Sequence, residues 1–313
     1  MTASAAPTVA VVGYACLDSS TSVRAFHGID ATSILERPLV SSAPAPGGIA
    51  HLTRAVAAGG AHPDAVSWVG DDHGGRAWTE AVGRTGGTAG IVTAGTRSPS
   101  ATLIEVGTGG TICLFDPGDC QGTALDAAQS RAIEESGWTL LTVAPRTVTE
   151  AVLSALPPAA RLVWAVKHDE DAYDGAMVER LLARADVVSF SRGERPYLSR
   201  GGTPVERLVR PGALVVETRG ADGVGWARAD GTSTPRQHPI AVDPLDVDDT
   251  TGAGDTFVGT LTALLASSAP VASLEDTTID ELVTRASRAA TALLRERTTS
   301  SATTADAPQK ENH

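Results

Sequence analysis

The sequence predicts an α/β domain built on a mainly parallel sheet with helices on both faces. Strand-like and helix-like segments alternate along most of the chain. The strand-like segments are near-continuous apolar runs, as a sheet buried on both sides requires. A turn of small residues, Asp249-Thr250-Thr251-Gly252-Ala253-Gly254-Asp255-Thr256-Phe257, runs straight into an amphipathic segment. Such a turn opens a helix toward a ligand.

Strands are expected at 9–14, 65–69, 140–143, 162–166, 187–190 and 214–217, and helical spacing at 49–58, 74–85, 147–155, 175–184 and 193–199. Two regions break the rhythm. Residues 18–45 alternate in polarity without a helical period. Residues 99–116 read as strands 101–106 and 111–115 joined at Gly107-Thr108-Gly109-Gly110, a hairpin signal. The division that follows is a core of 1–17, 46–98 and 117–297, insertions at 18–45 and 99–116, and a flexible Thr-, Ser- and Ala-rich tail over 298–313. No internal repeat is evident.

After Asp255, apolar residues fall at Phe257, Val258, Leu261, Leu264 and Leu265, one face of a helix. Gly252, Ala253 and Gly254 therefore occupy a helix start, where unpaired amides and the helix dipole favour an anion such as phosphate. No Lys follows the glycines, so this is not a Walker A loop, and the dinucleotide fingerprint has no acid inside its turn. Asp255 stands where a carboxylate can take a proton from an attacking hydroxyl while the amides hold the transferring phosphoryl group. The alternative is an acid that merely caps its helix.

Bulk properties narrow the field. The 313 residues suffice for one large domain. A net charge of −12 disfavours nucleic acid as a partner. Nearly all 25 basic residues are Arg, with Lys at Lys167 and Lys310 alone. Cys16, Cys113 and Cys120 are too few and scattered for a disulfide framework or zinc site, and read as reduced thiols of a cytoplasmic protein. The apolar run over 9–17 is too short to span a bilayer and lacks a basic start.

The string DTTGAGDTF at 249–257 resembles the C-terminal signature of the ribokinase-like (PfkB) carbohydrate kinases. Gly47-Gly48, with a helix through Gly59-Gly60, and Trp68-Val69-Gly70-Asp71-Asp72-His73-Gly74-Gly75 resemble the family's two N-terminal segments, in the same order and spacing over residues 8–295. The resemblance implies a three-layer α/β/α sandwich, the two insertions forming a small β-sheet lid, and transfer of phosphate from ATP with Mg²⁺ to a sugar or nucleoside hydroxyl. It implies Asp255 as general base and Gly252, Ala253 and Gly254 as an anion hole. Asp18, Gly47, Gly48 and position 51 would bind the acceptor. Thr218, Arg219, Gly220, Gly223 and Thr251 would lie along the nucleotide. Glu194 would act on Mg²⁺ through water, Asp249 would help hold a monovalent cation such as K⁺, and lids would pair in a homodimer.

The chain departs from the pattern in places. His51 stands where relatives carry Asn, which offers donor and acceptor in a different shape; a surface histidine is the alternative. Ser191 replaces the Asn of Asn-x-x-Glu. Val166-Lys167-His168-Asp169 replaces an Asp-Pro-type turn, and Lys167 there is a candidate contact for phosphate or substrate. Asp71 and Asp72 read as helix caps. A relative that binds sugar or nucleotide without catalysis is the reading that the substitutions at 51 and 191 keep open.

Overall fold

Val9, Ala10, Val11 and Val12 are all buried. Val9 and Val11 join one apolar cluster while Ala10 and Val12 join another on the opposite face. That two-sided burial defines the architecture. The computed structural model describes residues 5–37, 44–107, 110–199, 202–229, 237–241 and 250–305. In chain order the strands are β1 (Thr8–Val12), β2 (Ala15–Val23), β3 (Leu35–Arg37), β4 (Ala45–Gly48), β5 (His62–Val69), β6 (Gly87–Thr93), β7 (Ser100–Val106), β8 (Thr111–Asp116), β9 (Trp138–Leu141), β10 (Arg161–Ala165), β11 (Val187–Ser191), β12 (Leu214–Thr218), β13 (Val224–Arg228) and β14 (Gln237–Ile240). The helices are α1 (Ile49–Ala58), α2 (His73–Gly83), α3 (Ala127–Glu135), α4 (Arg146–Ala155), α5 (Gly175–Arg184), α6 (Arg195–Leu198), α7 (Ala253–Ala266) and α8 (Asp276–Ala305).

Nine strands form the main sheet in the order β14-β13-β12-β11-β10-β9-β1-β5-β6. It is parallel from β6 to β12 and antiparallel at β12–β13 and β13–β14. One face packs against α1, α2, α7 and α8, the other against α3, α4 and α5. The second sheet has the order β3-β2-β7-β8, with β4 added to β2. The 101–106 and 111–115 segments do form an antiparallel pair, β7 and β8. This is the sandwich with a separate smaller sheet that the resemblance implies.

Some expectations shift. β2 enters the small sheet at Ala15, ahead of residue 18. The 193–199 segment is a 3₁₀ turn, Arg192–Glu194, followed by the short α6. Strands β6, β13 and β14 and helix α3 add to the sequence-based set. Helix α8 runs through Ala305, across the start of the composition-defined tail.

Helices α1 and α7 meet at van der Waals distance because glycine removes bulk on both. A Cβ on Gly59 would stand 2.6 Å from Ala263 Cβ, and one on Gly259 would stand 2.7 Å from Ala55 Cβ. Buried charges are paired at the sheet's other flank. Asp186 binds Arg161 and Arg210 at 3.1 Å each. Glu217 accepts from Arg195 at 2.7 Å, and Arg195 also reaches Glu206 at 2.9 Å.

Asp72 caps α2, as the sequence suggests: Oδ1 accepts from the Gly75 amide at 2.6 Å and the Ser98 hydroxyl at 2.8 Å, and Oδ2 from the Ser98 amide at 2.8 Å. Partial burial opposes ionisation of Asp72, but these donors together hold its carboxyl below the usual range. A lowered folded pKa gives a stabilisation that is complete above the unfolded value and is lost as pH falls through the folded one. Asp72→Ala is therefore expected to cost about 1–2 kcal/mol at neutral pH. Urea unfolding of both proteins should show that gap closing between about pH 5 and pH 2.

Candidate active site

The site is assembled where β1, α1, β10 and α7 end or begin. Beyond β1 the chain turns at Gly13-Tyr14 into β2, which carries Cys16 and Asp18. The Tyr14 carbonyl accepts from the Ile49 amide at the start of α1 (3.1 Å). Gly48 precedes α1 at φ 56° with its Cα pressed on that carbonyl, a place that admits no side chain. Gly47 lies directly under the Asp18 carboxylate, where a Cβ would collide with the oxygens. Gly48 and Asp18 line the larger cleft of the molecule; Gly47 supports it from beneath.

His51 is buried rather than a surface residue. Its Nε2 lies 3.7 Å from Asp18 Oδ2 and its Nδ1 3.0 Å from an Arg54 nitrogen. Arginine only donates, so Nδ1 accepts and Nε2 carries the proton that faces Asp18. The same ring packs against Gly252, where a Cβ would meet it at 3.3 Å. His51 thus stands between the Asp18 carboxylate and the Gly252 turn.

Gly252 takes the left-handed conformation, φ 74°, and caps α7. The Ala253 amide donates to the Thr250 carbonyl (3.1 Å) and the Thr256 amide to the Gly252 carbonyl (2.8 Å). The Gly254 and Asp255 amides lie between them in the first turn, while Ala253, expected in the anion hole, has its amide committed to Thr250. Asp255 is the acid of that turn, partly exposed, and lines the larger cleft with Asp18, His51, Glu194 and Thr251. It is neither buried in the core nor turned away.

Lys167, just past β10, places Nζ 3.4 Å from Asp255 Oδ1. The Asp255 carboxylate raises the Lys167 pKa against the opposing effect of burial, and Glu194 adds to the rise. Glu194 accepts from the Ser191 amide at 2.7 Å and the Ser191 hydroxyl at 2.9 Å, so Ser191 orients this carboxylate. The lid wall opposite is formed by Tyr14, Cys16, Cys113 and Phe115. Burial and then the nearby Asp18 push both thiols up, which keeps them neutral.

A second cleft runs along Thr218, Gly220, Gly223 and α7, closed by Ser287, Ala290, Thr291 and Leu294 of α8. The two clefts share Thr250 and Gly254. Thr218, Gly220 and Gly223 thus stand as expected along one groove. Arg219 does not: its guanidinium is turned onto Glu217 and packs over Gly225, and it lines neither cleft. Asp249 lies outside the described residues. The sequence offers the lid as a hairpin over 99–116 and does not name the side chains that line it or those of α8 that close the second cleft. Their signals are the alternation Thr111, Cys113, Phe115 along β8 and the small residues at helical spacing, Ser287, Ala290, Thr291.

The described residues include no group of three or more His, Cys, Asp or Glu placed to hold a metal ion. No described helix is long and apolar enough to cross a membrane.

Comparison with known proteins agrees with this geometry. The model of the pfkB family of carbohydrate kinases matches residues 11–306. A fructokinase of Vibrio alginolyticus is 39% identical over 95 residues, 29% of this chain and 29% of that protein. The match therefore spans well under two thirds of the curated relative. The structure of Arabidopsis thaliana ribokinase complexed with ribose and ATP superimposes with a TM-score of 0.70 at 19% identity, covering 93% of each chain. Fructokinase from Vibrio cholerae with fructose, ADP and calcium gives 0.68 at 21% identity over 91% of each chain. A nucleoside kinase of Burkholderia thailandensis in complex with inosine gives 0.67 at 17% identity, covering 90% of this chain and 89% of that one. Fold, signature turn and family match coincide over nearly the whole length, and the chain belongs to the pfkB family of carbohydrate kinases, phosphotransferases that act on alcohol acceptors.

Proposed function

We propose that this chain transfers the terminal phosphoryl group of ATP to a primary hydroxyl of a sugar or sugar-like alcohol. The observation that carries the reading is the junction of the two clefts at Gly254, with the Asp255 carboxylate on the acceptor side of it. Nucleotide lies in the groove between Gly220–Gly223 and α8, its phosphates directed to the first turn of α7. Acceptor hydroxyls meet Asp18, with His51 Nε2–H behind it. Asp255 takes the hydroxyl proton as the oxygen attacks, and the Gly254 and Asp255 amides face the charge on the transferred group.

The donor set suits magnesium: hard carboxylate oxygen from Glu194, few in number, as for a cation carried chiefly by phosphates and water. When bound, the ion would neutralise charge on the phosphate oxygens. Glu194, aligned by Ser191, is the residue that would orient its water. The cytoplasm supplies this nucleotide, and we place the protein there.

One observation favours a nucleoside acceptor as the second reading. Tyr14 and Phe115 pack edge-to-face with centroids 4.8 Å apart on the lid wall, an apolar aromatic surface against which a base can stack.

Besides Phe115 of the cleft wall, the exposed large apolar side chains of the described residues lie on the small sheet, at Leu35 and Leu114, and on the loop between β2 and β3, at Phe26, Ile29 and Ile34. A patch of this kind calls for a partner, and we assign it to a second copy meeting lid to lid.

Asp255→Asn should keep the fold and nucleotide binding and lower turnover by about 10²–10⁴-fold, measured as ADP release across a panel of sugars and nucleosides. Near-normal turnover would sink the assignment. Gly254→Ala meets open space, since no atom lies within 4 Å of the added Cβ. It should raise resistance to denaturant by about 0.5–1 kcal/mol yet weaken nucleotide binding, read by calorimetry. Sedimentation velocity should give a dimer mass that Leu114→Glu reduces to a monomer.

A further inference from the structure

Lys167 stands beside the carboxylate that the phosphotransfer reading makes the base. Its side chain is half-exposed in the larger cleft, and its 3.4 Å approach to Asp255 is longer than a tight charge-assisted hydrogen bond. Exposed pairs of that kind add little to stability. A fixed cation beside a carboxylate that must accept a proton also works against that transfer. The pair makes chemical sense only if the cation changes partner during the cycle.

The new partner is close at hand. Gly254 and Asp255, at the first turn of α7, line the same cleft as Lys167, so an anion received at that turn shares the cleft with Nζ. A terminal phosphoryl group carries about two negative charges at neutral pH, against one on Asp255. Lysine suits the exchange: it is a compact ammonium on a flexible stem.

Resting on the phosphotransfer reading above, we propose that Lys167 is a catalytic residue that binds the γ-phosphoryl group of the nucleotide, leaving Asp255 for it when nucleotide arrives. Asp255 is thereby released to face the acceptor. As the acceptor oxygen bonds to phosphorus, its proton passes to Asp255. The bond from phosphorus to the β–γ bridging oxygen breaks, and the electron pair leaves with ADP. Lys167 keeps its protons throughout and neutralises charge on the group in transit.

The test needs no knowledge of the acceptor. Binding of ADP and of the non-hydrolysable analogue AMP-PNP, both with Mg²⁺, is measured by calorimetry for wild type, Lys167→Met and Lys167→Arg. The Met variant should lose about tenfold or more in affinity for AMP-PNP while ADP affinity stays within about twofold. The Arg variant should retain most of the AMP-PNP affinity, and melting temperatures should match. Equal losses for both nucleotides, or no loss for either, overturn the assignment alone. Wild-type protein that binds neither nucleotide overturns it together with the phosphotransfer reading.

Discussion

The contact on which the site depends is the close crossing of α1 and α7. Gly59 and Gly259 remove the side chains that would hold these helices apart, and Ala55 and Ala263 fill the space. Each helix begins with a glycine at positive φ, Gly48 on α1 and Gly252 on α7. Bringing the helices together therefore brings the two turns together, one beneath the Asp18 carboxylate and the other at the start of α7, where we propose the phosphate. His51 records how tight the junction is, with its ring against Gly252 and its Nε2 toward Asp18. A bulkier residue at 59 or 259 would separate two halves of a reaction centre without touching either.

The electrostatics of the cleft follow a consistent scheme. Asp18, Asp169, Glu194 and Asp255 all line it, against Lys167 and two histidines. The one lysine is outnumbered, so side-chain charge by itself does not hold an anionic nucleotide there. Peptide amides and the helix dipole carry no net charge and are indifferent to the acidic surroundings. A hard cation travelling with the nucleotide meets carboxylates that suit it. The chain's net charge of −12 is thus compatible with an anionic substrate. Arginine takes part elsewhere, as the internal counter-ion of Asp186, Glu206 and Glu217.

Much of this was legible from residues alone, and the exceptions have physical causes. The apolar runs that became β1, β5 and β9 to β12 are buried on both faces, so composition marks them. β6 is broken by Gly87 and Gly90, and α3 buries Gln129, whose amide donates to the Ser67 and Gly90 carbonyls, in place of an apolar stripe. The signature turn announced its helix and its acid, because both properties are local. The burial of His51 was not local: it arises from Asp18 and Gly252, which arrive from distant segments. The orientation of Arg219 is a different case, since it follows β12 directly, two residues from Glu217, and their opposite charges meet. The Ala253 amide was assigned to the anion by position, whereas the turn geometry gives it to Thr250.

Strand β2 leaves the main sheet at Gly13-Tyr14 and is already paired in the small sheet at Asp18, opposite Ala45 on one side and Ala101 on the other. Mechanically, the carboxylate that we propose meets the acceptor is a part of the cover and not of the vessel. Any tilt of the small sheet about that corner would carry Asp18 along with it, while Asp255 stays anchored to α7. Under the proposed reaction, swinging the cover and delivering the alcohol to its base would be one and the same displacement.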